Sequence, residues 1–349
     1  MTYDPEARRD TPLARKLKQR IHRDGALTVA EYMQACLQDP EYGYYVKQQA
    51  IGHAGDFITA PEISQIFGEL IGLWSAVVWQ QMGSPSLVNL VELGPGRGTL
   101  MRDALRAASK MPPFLNALKV HLVESNSVLQ RRQREVLAGV FPPVISNASM
   151  AVVPPGAVIV IANEFLDTVP AAQRSVGGER RVTLDAKDRL VFDPPEGTFH
   201  ERQDFAPLID HLASRAMDAP LAALFIDYGH LQSSAGETMQ ATRSHAPEHP
   251  LCSPGEADLT VHVDFAAFGA ALVGCGLAVD GPATQGEFLG RLGIVERASR
   301  LMSANPDKAG EIELAVARLI APQGMGSRFK AIGVRSSRLS VLPGLGSDP

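Results

Sequence analysis

The 349-residue sequence contains no run of ~18 or more consecutive apolar residues, the length a membrane-spanning helix needs, so membrane insertion is not expected. It is also poor in cysteine. Cys36, Cys252 and Cys275 are odd in number and form no Cys-x-x-Cys pair, which speaks against a disulfide framework and for reduced thiols in a cytosolic-type compartment. A basic excess is missing too: 33 Lys and Arg face 38 Asp and Glu, and a formal net charge of -5 disfavours a broad phosphate-binding surface and hence a nucleic acid partner. Met1 to Asp10 has three acids and no apolar stretch, so no secretory signal is expected. An Arg- and Ser-rich, acid-poor leader is likewise missing, which predicts a bacterial cytoplasmic protein, or a mitochondrial matrix one if the host is eukaryotic. What remains, 45% hydrophobic and 20% charged residues, is ordinary for a folded chain with a full core.

The most informative stretch runs from Leu87 to Leu105. A short apolar run ends in Glu92, three alternate glycines follow at Gly94, Gly96 and Gly98, and a helix-forming segment comes next. This describes a buried strand, a tight turn and a helix N-terminus, with glycines where a ligand passes too close for a Cβ. A purely structural turn would use the same residues. The spacing differs from the dinucleotide fingerprint Gly-x-Gly-x-x-Gly, and an acid at the turn suits the ammonium of a methionine and repels a pyrophosphate.

Along the rest of the chain, Thr11 to His22 reads as an amphipathic helix, and Thr28 with Glu31 predicts a capping box opening a second helix that ends at Asp39-Pro40. Glu41 to Tyr45 and Gly55 to Glu62 are polar and glycine-punctuated: either a loop against the sheet edge or a lid over the ligand, which would bring Asp56 and Thr59 to the cofactor. A long helix is expected over Ile63 to Met82. Strands follow at Leu87 to Glu92, Lys119 to Val123, Val144 to Ser146, Ala157 to Ile161 and Ala222 to Ile226. Glu124 stands at the carboxyl end of the second of these, where an acid can accept from both ribose hydroxyls, and Asn163-Glu164 opens the end of the fourth. Residues 174–193 suggest an inserted antiparallel hairpin, and His230 to Pro254 reads as a loop. His245, His249 and Cys252 could hold a metal, but Pro247 and Pro250 make a plain loop sufficient, and no metal is expected. Two helices are predicted over Glu287 to Arg318, a last strand over Phe329 to Val334, and a disordered tail over 336–349. The fold class is therefore α/β, a doubly wound, mostly parallel Rossmann-like sheet, with an N-terminal helical and lid region over 1–82 and the main domain over 83–335.

The motifs Asp39 to Tyr45, Gly55 to Ser64, Phe67 to Leu70, Glu92 to Gly98, Ala162 to Asp167 and Gly255 to Phe265 resemble the MidA family of S-adenosylmethionine (SAM) dependent methyltransferases. The resemblance covers about Leu27 to Lys330. It implies a class I methyltransferase fold, SAM as cofactor and, as protein partner, a respiratory complex I subunit methylated on an arginine during assembly; a homodimer is compatible. It also implies that Glu92, Gly94, Gly96, Gly98, Glu124, Asn163, Asp56 and Thr59 line the cofactor. A guanidinium, with a pKa above ~12, must shed a proton to be methylated, so a carboxylate is needed beside it. Glu164 is the first candidate, with Asp167 and Glu62 as others. Other readings are a methyltransferase for a different protein or small molecule, and a SAM-binding assembly chaperone with little turnover.

Overall fold

The computed structural model describes residues 4–46 and 59–346. They form two compact units. The first takes its described residues from Met1–Phe57, Asp167–Phe205 and Gln232–Asp264, and the second from Ile58–Leu166, Ala206–Leu231 and Phe265–Pro349.

In the first unit the helix Pro12–Asp24 opens on Thr11, whose hydroxyl accepts from the Ala14 N–H, and buries Leu13, Leu17 and Ile21 on one face. The helix Val29–Gln38 carries the expected capping box: Thr28 Oγ1 accepts from the Glu31 N–H at 3.1 Å, and Glu31 Oε2 accepts from the Thr28 N–H at 2.8 Å. Tyr32, Met33, Cys36 and Leu37 from this helix share a core with Val182, Leu190 and Leu259. The inserted segment is larger than the expected hairpin. Its strands make two small antiparallel sheets, one joining Leu27–Thr28, Arg181–Leu184 and Leu190–Asp193, the other joining His200–Gln203, Ala171–Ser175 and Gly178–Glu179. The segment read as a loop before Pro254 likewise contains paired strands, Gln240–Arg243 and Ala246–Glu248, the first of which also pairs with Asp258–Thr260.

The second unit is the doubly wound one. Its strands are β1 (Val88–Leu93), β2 (Leu118–Val123), β3 (Val144–Asn147), β4 (Val158–Asn163), β5 (Leu221–His230), β6 (Ala278–Thr284) and β7 (Phe329–Arg335). They lie in the order β6-β7-β5-β4-β1-β2-β3, parallel from β5 to β3, with β7 antiparallel to both neighbours. Every residue of β1 and β4 is buried, as expected of central strands covered on both faces. From β1 the chain steps outward to β2 and β3 and then crosses back to β4 on the other side of β1, so the carboxyl ends of β1 and β4 flank the switch point of the sheet.

Helix α1 (Gln65–Gln81) belongs to this unit and not to a separate N-terminal region. Close approach to helix α2 (Thr99–Ala108) explains why: a Cβ on Gly68 would lie 2.7 Å from Asp103 Cβ, and one on Gly72 would strike the Ala104 backbone. Glu69, buried between them, accepts from Arg106 at 3.0 Å and from Arg297 at 2.8 Å, tying both helices to Ile294–Ala304.

Two expectations need correction here. The stretch read as two helices holds three, Gln285–Arg291, Ile294–Ala304 and Ala309–Ile320, because Gly293 at φ 84° breaks the first from the second. The tail expected to be disordered is ordered over 336–346. Leu339, Leu342 and Leu345 are buried, the Trp74 indole donates to the Pro343 carbonyl at 3.1 Å, and the Leu342 N–H donates to Asp280 at 2.9 Å. Leucines spaced three apart give this Ser- and Pro-rich segment an apolar edge that composition alone hides.

Candidate active site

The turn after β1 is built as its glycines require. Gly94, Gly96 and Gly98 have φ of 61°, 50° and 83°, the left-handed region that costs a side chain roughly 1 kcal/mol or more, and Gly98 starts α2. The Gly94 N–H donates to the Val123 carbonyl at 3.1 Å, and the Gly98 N–H donates to Pro95 at 2.8 Å. A Cβ on Gly94 would stand 3.0 Å from the Phe165 ring, so the loop after β4 faces the turn. Behind it Glu92 is only 3% exposed, and its Oε2 finds no hydrogen-bond partner among the described residues. Burial pushes its pKa up to about 8.

At the end of β2, the register of Leu93 with Val123 sets Glu124 beside the turn. Glu124 Oε1 accepts from the Asn126 N–H at 2.8 Å; burial raises its pKa, and the hydrogen bonds from Asn126 and Ser125 act against that shift. Asn126 in turn caps helix α3 (Ser127–Val136), accepting from Val128 and Leu129. From α3 the fully buried Gln133 donates through Nε2 to the Gly96 carbonyl at 2.7 Å.

The end of β4 supplies Asn163 and Glu164. Glu164 has φ 52°, rare for a residue with a side chain, and is held there from both sides in sequence. Its own N–H donates to Ile226, while the N–H groups of Phe165 and Leu166 both donate to Asp227 Oδ2, at 3.0 and 2.8 Å. Asp227, fully buried and next in β5 after Ile226, the last residue that pairs with β4, accepts through Oδ1 from Tyr228 at 2.9 Å. Glu164 Oε1 accepts from Asn163 Nδ2 at 3.1 Å and from the Ala60 N–H at 3.2 Å. Asn163 Oδ1, also buried, has no hydrogen-bond partner among the described residues.

Ala60 begins the short helix Ala60–Ile63, preceded by Thr59 in an extended conformation whose side chain makes no capping bond. Glu62 from this helix accepts from the Thr99 hydroxyl at 2.5 Å and pairs with Arg97 at 3.5 Å. The second unit therefore gathers Thr59, Glu62, Glu92, the three glycines, Glu124, Asn163 and Glu164 at one sheet edge. Asp56 lies outside the described residues. Asp167 belongs to the first unit, where it is buried, its carbonyl accepts from Val261, and its charge helps to raise the pKa of Tyr45 after burial and Asp258. Sequence reading ended a strand at Ile226 and gave no role to the acid that follows it, Asp227. It missed Gln133 altogether, since a glutamine inside a helix carries no signal of its own.

These residues fit a zwitterionic ligand bearing a sulfonium. Exposed glycine backbone allows close approach, and among the described residues the Glu92 Oε2 has no partner and can meet an ammonium, while no cation pairs with Glu124 to compete with hydroxyl groups. Comparison with known proteins agrees. The family model for S-adenosyl-L-methionine-dependent methyltransferases matches residues 70–221 and 197–283. The mitochondrial protein arginine methyltransferase NDUFAF7 of Danio rerio is 35% identical, covering 92% of this chain and 86% of its own, and that of Mus musculus is 36% identical, covering 93% and 84%. A protein from Burkholderia thailandensis, solved bound to S-adenosyl-homocysteine, superposes with a TM-score of 0.84 at 26% identity over 97% of each chain. The chain thus belongs to the family of SAM-dependent methyltransferases that includes these relatives.

Proposed function

We propose that this enzyme methylates an arginine side chain of a protein, with a respiratory complex I subunit as acceptor. The names of its relatives, protein arginine methyltransferases, support the acceptor class. The observation that carries the reading is the placement of Glu164, at left-handed φ with Oε1 held by Asn163 and Ala60, next to the loop that faces the Gly94 turn. In this reading the Gly94 to Gly98 turn and Glu92 receive the amino-acid end of the cofactor, Glu124 its ribose and Asn163 a polar group nearby. Bound SAM supplies a methyl group on a sulfonium, and the protein needs no nucleophile of its own. Glu164 binds the guanidinium, orients one nitrogen toward the methyl and takes up the proton that nitrogen must lose. Asn163 and Ala60, by bonding Oε1, keep that carboxylate from swinging away. Thr59 and Asp56 remain candidates for the cofactor's surround, and Asp167 for a role in the first unit.

The test is mass spectrometry of complex I subunits from cells with and without the gene, looking for an arginine methyl mark that the wild-type gene restores. Glu164→Gln should abolish the mark, a loss of at least about 100-fold in transfer, while leaving SAM binding within about threefold. A restored mark in the Glu164→Gln strain would remove Glu164 from the chemistry. A mark on no complex I subunit would redirect the search to another acceptor.

A further inference from the structure

We propose that two side chains from outside the glycine motif, Glu62 and Gln133, clamp the Gly94 to Gly98 turn and act as positioning residues that set cofactor affinity. The proposal rests on the reading that this turn receives the cofactor. Three glycines among five residues make a chain segment with an unusually large conformational freedom to lose when a ligand settles on it. The turn's own backbone bonds, from Gly94 to Val123 and from Gly98 to Pro95, leave its middle to be held from elsewhere.

Two groups supply that hold. On one side Gln133, itself fully buried, donates through Nε2 to the Gly96 carbonyl at 2.7 Å. The same helix α3 begins at Asn126, whose N–H bonds Glu124, so one rigid element sets both the turn and the proposed ribose acid. On the other side Glu62 takes the Thr99 hydroxyl at 2.5 Å and the Arg97 guanidinium at 3.5 Å, gripping the turn's last side chain and the first residue of α2. Glu62 sits two residues after Ala60, whose N–H bonds Glu164. With both carboxylate oxygens engaged in this way, Glu62 serves the cofactor turn and not the acceptor proton. The turn is thereby ordered before the ligand arrives, and binding loses less entropy.

The test is calorimetric titration of the full chain with S-adenosyl-homocysteine, together with amide hydrogen exchange of the ligand-free protein over the turn. Glu62→Ala should weaken binding about tenfold, Gln133→Met about fivefold and Thr99→Val about threefold, each with faster exchange at 96–98. Thr99→Ser, which keeps the hydroxyl, should restore affinity to within about twofold of wild type, a rescue that general loss of packing would not show. The double variant Glu62→Ala/Thr99→Val should bind no more than about twofold worse than Glu62→Ala, because both remove the same bond. Glu124→Ala is the control for ligand placement. If it weakens binding while Glu62→Ala, Thr99→Val and Gln133→Met bind as wild type does, the clamp is wrong; if Glu124→Ala itself binds normally, the placement of the cofactor is wrong. Should buried Gln133 tolerate no replacement, the two half-exposed positions decide the matter alone.

Discussion

At the end of β1, Glu92 is 3% exposed, carries a carboxylate oxygen without a hydrogen-bond partner among the described residues, and has a pKa pushed up to about 8. On β5, two strands away and just past its pairing with β4, Asp227 is 0% exposed, yet three backbone N–H groups, from Phe165, Leu166 and Tyr228, converge on it. Both are buried acids where a parallel pairing runs out. The protein completes one and leaves the other wanting. A buried carboxylate with three charge-assisted bonds fixes backbone, here the strained turn that carries Glu164. A buried carboxylate short of a partner is costly to the free protein and becomes favourable only when a cation comes to it, which is the property of a binding group.

The comparison can be broken most severely at Asp227. Asp227→Ala removes the acceptor for three backbone N–H groups, that of Leu166 buried and the others partly so, and should lower stability by about 3 kcal/mol, read from urea unfolding. It should also abolish methyl transfer, since the Glu164 turn loses its support. A variant as stable as wild type would mean that other acceptors hold the turn. Next in size, Glu92→Gln should raise stability at pH 9 by about 2 kcal/mol while changing it by less than about 0.5 kcal/mol at pH 5. The sign follows from the raised pKa. The stabilisation from holding the proton is complete below the unfolded value of 4.5 and lost as pH climbs through about 8, where the native acid must ionise in its buried setting. Equal effects at the two pH values would show that Glu92 does not titrate with the shift assigned to it.

The third and smallest effect concerns ligand. If an ammonium binds ionised Glu92, the free protein must release a proton first. Affinity for S-adenosyl-homocysteine should therefore rise with pH between 6 and 8, by at most about tenfold per unit, and level off above. Titration at pH 7 in buffers of differing ionisation enthalpy should detect nearly one proton released, and none in Glu92→Gln. Proton uptake, or a flat profile in the wild type, would place the ammonium elsewhere.

Much of this site is legible from short-range patterns. The Glu92 to Gly98 segment forms the turn that its glycines demand, because left-handed φ is a local steric requirement. Thr28 and Glu31 form their capping box for the same reason, all the atoms lying within one helical turn. The tail was misjudged because Ser, Gly and Pro content measures the entropy to be overcome and says nothing of the groove that Leu339, Leu342 and Leu345 fill. Helix α1 was divided from the sheet because nothing near Gly68 or Gly72 in sequence announces that Asp103 and Ala104 lie against them. Gln133 was invisible for a similar reason: its partner, Gly96, is 37 positions away.

By itself the sequence determined which segments form the parallel strands, which acids stand near their carboxyl ends, and where the backbone must turn left-handed, since sterics and side-chain period act over a few residues. Only the tertiary structure decided that Asp227 would be satisfied, that Glu92 would be left short, and that Glu62 and Gln133 would both reach the same turn. Solvation and hydrogen bonding of a buried charge depend on which distant segments close around it, and that is settled when the strands assemble.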